Sequence, residues 1–312
     1  MTSRAIPPRA LALLALLTLV WGTNWPLFAV VTREISVWTF RAVSVTIAGT
    51  MLLLVARLRG QSLVIPRRHW PTVAVATAFY LVLWNIASTY AAIMIPSGQA
   101  AILGFTMPLW AALISATLLG ERLTRRMGLA LALGAAAVGL LMWRGLPAYR
   151  QAPLGFALGL AAGLGWAIGT LILKRNPPPV PATVLTGWQL LITSVPTTLG
   201  ALALADGPAF VPSITTLAVI GYIAIVPMSI GNVAWFSIVG LLPVNVAGLS
   251  SIMVPVVAMV SGALVHGEPL GAVQWLAMAC CAAALGLVLM APRSAPAARS
   301  HTATGTAPVE PG

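Results

Sequence analysis

The segment from Asn85 to Trp143 recurs 147 residues downstream, with Pro96 matched by Pro243 (243 − 96 = 147). The same offset sets Asn85 beside Asn232, Pro108 beside Pro255, and Gly120-Glu121 beside Gly267-Glu268. Without a gap, 18 of 59 positions are identical; alanine inflates that figure, but the matched Asn, Pro and Glu residues owe nothing to it. Two copies of one very apolar unit must therefore fold in equivalent ways. That pattern suggests a membrane protein whose halves face each other across a substrate path.

Composition supports the bilayer. The chain is 59% hydrophobic and 7% charged, with mean hydropathy +0.97, whereas an ordinary soluble domain is about a quarter charged. The net charge of +12 does not point to nucleic acid, because the basic residues fall in gaps between apolar runs and not as one basic face. Cys280 and Cys281 are adjacent in one apolar run, so neither a disulfide framework nor a metal cage is expected. No cofactor is expected either.

A membrane helix needs about 20 mostly apolar residues. Ten segments qualify, near 10–32, 37–56, 71–93, 97–119, 127–144, 153–174, 183–204, 214–239, 245–265 and 271–291. Pro96 with Gly98, and Pro243 with Asn245, mark breaks between neighbouring spans. Prolines 26, 108, 196, 227 and 255 are expected to kink the spans that hold them. The first segment follows Arg4 and Arg9 but lacks a small-residue cleavage pattern, so it reads as a retained helix and not as a signal peptide.

Orientation follows from the excess of Lys and Arg in cytoplasmic loops. With the N-terminus inside, 13 basic residues lie on the cytoplasmic side and 4 (Arg33, Arg41, Arg144 and Arg150) outside or near that edge. Five spans per half is an odd number, so the second copy runs through the membrane in the opposite sense. The expected fold is an all-α integral membrane protein of ten transmembrane helices, arranged as two inverted five-helix repeats. The repeats occupy 10–144 and 153–291, flanked by a cytoplasmic N-terminus (1–9) and a disordered cytoplasmic tail (292–312), whose small, Pro-rich composition leaves little to bury.

Several short patterns, in order and partly doubled, carry a family resemblance. They are Trp21-Gly22-Thr23-Asn24 in span one, Phe40-Arg41 at the head of span two, and the stretch from Ala100 to Gly120-Glu121-Arg122-Leu123 with its Pro108. Gly165-Trp166-Ala167 and the stretch from Pro255 to Leu270 echo them. The chain resembles the EamA-type transporters of the drug/metabolite transporter superfamily from about Ala10 to Ala291. The resemblance implies ten spans as two repeats, a bacterial inner-membrane location, and a carrier of small solutes, often an exporter. It also implies that spans one, three, four, six, eight and nine line the cavity.

Polar side chains deep in a span face protein or a water-filled path. Asn24, Asn85 and Asn232 are the deepest candidates, and an amide of this kind serves either solute recognition or interhelical bonding. Trp21, Trp25, Tyr80, Trp84, Trp166, Tyr222 and Trp235 are expected to form an aromatic wall able to stack on a planar solute or hold a cation, those in the substrate-binding set being Trp21, Tyr80, Trp84, Trp166 and Trp235. Gln99 completes the substrate-binding set as a position where the two copies differ. Trp38, Trp70 and Trp143 read as interfacial belt residues. Arg41 is placed near the outer end of span two, reaching the interface or pairing with Glu34.

Glu34, Glu121, Asp206, Glu268 and Glu310 fall at span ends or in the tail, which leaves no mid-membrane acid for ion coupling. Glu121 and Glu268 are expected to favour the N-terminal dipoles of the helices that follow. The scattered His69, His266 and His301 give no catalytic or metal constellation, so an enzyme is not expected. The reading is a secondary transporter moving amino acids or related zwitterionic, aromatic or cationic compounds by alternating access, in the direction of export. A facilitative pore and a multidrug exporter are the alternatives. The expected partners are the small-molecule substrate and the lipid bilayer, with oligomeric state, including a homodimer, left open.

Overall fold

The computed structural model describes residues 8–120, 124–204, 212–242, 247, 251–267 and 270–289. Expectations that fall on Glu121, Asp206, Glu268, His301, Glu310, the break at 243–245, the tail 292–312 and most of the N-terminal segment lie outside the described residues.

The described elements are helical throughout. Eight stretches are long and apolar enough to cross a membrane: Pro8–Val31, Val37–Leu58, Arg67–Met94, Ser97–Thr117, Arg125–Gln151, Pro153–Arg175, Ala182–Leu204 and Ile214–Leu241. They are called spans one to eight below. Two shorter apolar helices follow, α1 (Val254–His266) and α2 (Ala272–Leu289), where the ninth and tenth spans are expected. Large apolar side chains such as Leu54, Leu118, Leu199, Leu202 and Trp275 are exposed on the outside. A surface of that kind belongs against lipid. The protein is a multi-pass membrane protein.

Polar caps fix several helix starts. The hydroxyls of Ser36, Thr124 and Ser213 accept the backbone N–H three residues ahead, at 3.1, 3.2 and 3.2 Å.

The duplication is visible in the elements themselves. Span three begins at Arg67 and ends at Met94, and span eight begins at Ile214 and ends at Leu241, both at an offset of 147. The helix from Met107 is matched by the start of α1 at Val254, and the helix from Arg125 by the start of α2 at Ala272. Gly120 and Gly267, also equivalent, each turn the chain with φ +66°, a conformation that other residues adopt only with strain. The first two spans of each half are related by 145 residues, since Pro8 pairs with Pro153 and Val37 with Ala182. Like packs against like: span two lies on span seven, and span five on α2. Span one packs against span eight and α1, as span six packs against spans three and four.

Prolines 26, 108 and 255 occupy the first turn of a helix and do not kink its interior. There the missing N–H has no intrahelical partner to lose. Spans one and four are accordingly broken, at Thr23-Asn24 and at Phe105-Thr106. Pro196 and Pro227 do lie inside their helices, the latter within a π-helical stretch, Ala224–Gly231. Its equivalent in span three is the π-helical stretch Ala78–Leu83. Such wide turns mark functional positions in many helices, and here each runs up to one of the two equivalent asparagines.

Span six is held by close backbone approach. A Cβ on Gly163 would lie 2.7 Å from both the Gly104 carbonyl and Thr106 Oγ1, and one on Gly165 would lie 2.8 Å from the Phe79 carbonyl. Where lipid removes the hydrophobic drive between helices, small residues allow the contact that replaces it.

Candidate functional site

A cavity sits where the two copies meet. It is lined from span one by Trp21, Asn24 and Trp25, from span two by Arg41, and from span three by Leu81, Trp84 and Asn85. Phe105 of span four, Trp166 of span six, Leu190 of span seven, and Pro227, Met228 and Asn232 of span eight complete it. Its free space is about 40 Å³, on the order of three water molecules. The broken ends of spans one and four supply Asn24, Trp25 and Phe105, so the interruptions open backbone beside the cavity, where irregular chain is tolerated in a membrane.

The aromatic wall is an interlocked cluster. Trp21 and Trp166 meet edge to face, with centroids 5.1 Å apart and planes at 85°. Trp84 packs on Trp166 at 4.7 Å and on Trp25 at 6.0 Å, while Phe105 touches Trp21, Trp25 and Trp84 at 6.0 to 6.3 Å. The Trp21 indole N–H is committed to the Pro227 carbonyl at 3.2 Å. Among the described residues, buried Nε1 of Trp166 and Nε1 of Trp235 have no hydrogen-bond partner.

Asn85 and Asn232 are used alike. Asn85 Nδ2 donates to the Leu81 carbonyl and Asn232 Nδ2 to the Met228 carbonyl, both at 2.8 Å. Each therefore spends one donor on a carbonyl of the π-helical stretch before it. Asn232 Oδ1 also accepts from the Tyr80 hydroxyl, which ties span three to span eight. Asn24 Oδ1, at the break in span one, is buried and has no partner among the described residues.

Six of the nine residues expected at the site line this cavity: Trp21, Asn24, Trp84, Asn85, Trp166 and Asn232. Tyr80 and Trp235 stand one layer behind. Tyr80 reaches the cavity through Asn232, and Trp235 packs against Trp21 at 5.7 Å and Trp166 at 5.9 Å. Gln99 lies elsewhere, lining a separate cavity of about 270 Å³ with Pro96, Arg144, Leu270 and Gln274 among others. Spans two and seven contribute to the central cavity, and among its described lining residues none comes from α1.

Arg41 is also placed otherwise than the sequence suggested. It is 1% exposed and lines the cavity, while Glu34 is engaged elsewhere, accepting from the Ser213 N–H and hydroxyl at 2.8 Å each. The available signal was the rule that an ionisable residue within a span is a functional candidate. Its nearness to the helix start had argued for the interface instead.

Of the expected belt residues, Trp143 is exposed and Trp70 half-buried, its N–H donating to the Ile65 carbonyl at 3.2 Å. Trp38 is half-buried and packs on Gly200.

Comparison with known proteins gives the context for this geometry. The EamA-like transporter family matches residues 8–143 and again 153–290. The uncharacterized transporter YvbV of Bacillus subtilis (strain 168) is 25% identical over 84% of this chain and 85% of its own length. The uncharacterized inner membrane transporter YedA of Escherichia coli (strain K12) is 26% identical over 93% of each chain. A probable amino-acid metabolite efflux pump of Escherichia coli (strain K12) is 29% identical over 58% of this chain and 63% of its own length. One crystal structure superposes with a TM-score of 0.71 at 22% identity, covering 89% of this chain and 95% of that one, which shows a shared fold.

Proposed function

The chain belongs to the EamA-like transporter family, and from that premise we propose that it is a secondary transporter exporting small metabolites by alternating access across the bacterial inner membrane. The metabolites are amino acids or related zwitterionic, aromatic or cationic compounds, bound at the central cavity. Trp21, Asn24, Trp84, Asn85, Trp166 and Asn232 contact the solute directly, with Tyr80 and Trp235 supporting them. Gln99 acts from its separate cavity. In this reading α1 and α2 are the ninth and tenth spans, and the two five-span repeats are inverted, with both termini cytoplasmic.

The observation that carries the reading is that equivalent residues of the two copies, Trp21 with Trp166 and Asn85 with Asn232, gather at one cavity. An inverted duplication lets two halves exchange conformations around a fixed site. Packing of span two on span seven supports such a pseudo-two-fold relation. The small free volume favours a carrier over an open pore, since a solute must displace the aromatic cluster to enter. Names borne by relatives, an inner membrane transporter and an amino-acid metabolite efflux pump, agree with the location, the substrate class and the direction.

Proteoliposome flux decides the matter. A carrier gives saturable uptake and trans-stimulated counterflow of radiolabelled amino acids, lowered by Asn85→Ala and Asn232→Ala. Single-channel currents, or kinetics unchanged in both variants, would sink the proposal.

A further inference from the structure

Among the described residues that line the central cavity, Arg41 alone carries a formal charge. Its Nε donates to Thr89 Oγ1 at 2.6 Å, and Thr89 donates in turn to the Asn85 carbonyl at 2.6 Å. Its guanidinium carbon lies 4.3 Å from the Phe28 ring centroid and 4.7 Å from that of Phe40. Among the described residues the buried Nη2 has no hydrogen-bond partner. The guanidinium is thus fixed at one end by Thr89 and on its faces by two rings, with donor capacity unspent at the Nη end.

A buried cation without a counter-charge is strongly unfavourable, and ring faces offset only part of that cost. Of the five acidic residues in the chain, Glu34 alone is described, and its carboxylate is bound to Ser213. The other copy offers no second cation: the residue equivalent to Arg41, at the offset of 145, is Thr186, buried with its hydroxyl unpartnered. One guanidinium suits one monoanionic group, and its planar fork matches a carboxylate in particular. Asn24 Oδ1, a buried acceptor without a donor, borders the same cavity.

We infer that Arg41 anchors the carboxylate of the transported solute, with Asn24 Oδ1 accepting from its ammonium and the indole cluster holding its side chain. This rests on the transport reading above and adds the solute's charge to it. The substrates are zwitterionic monocarboxylates, free amino acids in form, and not their amides, simple amines or polyanions. Among the described residues no carboxylate meets Arg41, so the arriving solute's carboxylate offsets the cost of its buried charge in the loaded state.

The test reads binding and flux separately on the purified full-length protein. Thermal stabilisation in detergent is measured with the proteinogenic L-amino acids, their α-amides and their decarboxylated amines. Counterflow of the best binders follows in proteoliposomes. In the unmodified protein the acids should bind about 10- to 100-fold more tightly than the amides or amines, the range expected for hydrogen bonds to a charged group. Arg41→Gln should bring the acids down to the level of the amides, and Arg41→Lys should keep part of the preference. The ligand comparison in the unmodified protein stands even if Arg41→Gln fails to fold. Equal binding of acids and amides, a preference that survives in folded Arg41→Gln, or no binding by any acid overturns the inference. Acids that bind without counterflow would defeat the carrier reading and leave the anchor in place. Counterflow without acid preference would do the reverse.

Discussion

Trp21 and Trp166 hold equivalent places in the two copies and meet edge to face at the cavity, with centroids 5.1 Å apart. Their surroundings then diverge. Trp166 packs against Trp84 at 4.7 Å, while Trp21 packs against Gly231, the residue equivalent to Trp84. A Cβ at Gly231 would overlap the Trp21 indole N–H. The second copy can seat its partner's tryptophan only because it lacks a side chain at this position.

Gly231→Ala should therefore push Trp21 off its bond to the Pro227 carbonyl. We expect a loss of about 1–3 kcal/mol, the usual cost of overpacking, together with weaker transport. Gly221→Ala, on the same span with open space around its Cβ, should be neutral or mildly stabilising. Equal thermal shifts for the two variants would contradict the packing argument.

Tyr80 and Asn232 join spans three and eight through a buried hydroxyl-to-amide bond. Tyr80→Phe keeps the ring against Trp166 but leaves Asn232 Oδ1 short of its donor. A double-mutant cycle with Asn232→Ala should return a coupling of about 0.6–1.7 kcal/mol, the range found for such bonds between membrane helices. Strict additivity would remove the bond from the account of stability.

Glu34 ties the loop after span one to the start of span eight. The Ser213 N–H holds its carboxylate below the ordinary value of 4.5, helped by the Ser213 hydroxyl. Because the folded state lowers this pKa, the stabilisation is complete above the ordinary value and fades as acid titrates the carboxylate through its depressed folded value. Thermal stability should show an acid-side slope that Glu34→Gln reduces, the two proteins differing most at neutral pH and converging in acid. An unchanged slope in the variant would assign the acid sensitivity to other groups.

Lys174, at the end of span six, donates to the carbonyls of Val239 at 2.6 Å and Leu242 at 3.4 Å, at the C-terminal end of span eight. A cation there satisfies carbonyls that the helix leaves open. Lys174→Met should cost about 0.3–1 kcal/mol, and hydrogen exchange should quicken in the last turn of span eight. Unaltered exchange in that turn would show that other groups cap it.

Much of the fold was legible because apolar length and repeat offset are one-dimensional properties. Asn85 and Asn232 could be paired by counting, and their side chains do make the same bond to the carbonyl four residues back. The gathering of Trp21, Trp84 and Trp166 near them followed from the cost of exposing polar groups to lipid, which sends amides inward and draws cavity residues with them. Helix interruptions were read less well. A proline in an apolar run signals a disturbed helix, but whether it kinks the interior or opens a new helix depends on the residues before it and the carbonyls they leave free. Thr23-Asn24 and Phe105-Thr106 break their spans for reasons that lie partly in the neighbours.

The sequence by itself determined that the chain is an all-helical, duplicated membrane protein, because hydrophobic length and the repeat of matched residues can be read along the chain. Tertiary structure decided which of the inward residues share a cavity. It moved Gln99 to a separate cavity with Arg144 and Gln274, and set Tyr80 and Trp235 behind the lining. It also brought Arg41 from an expected interface position to the centre, against Phe28, Phe40 and Thr89. Burial of a guanidinium depends on what stands around it in space, and those partners come from spans one, two and three together, a relation no spacing along the chain encodes.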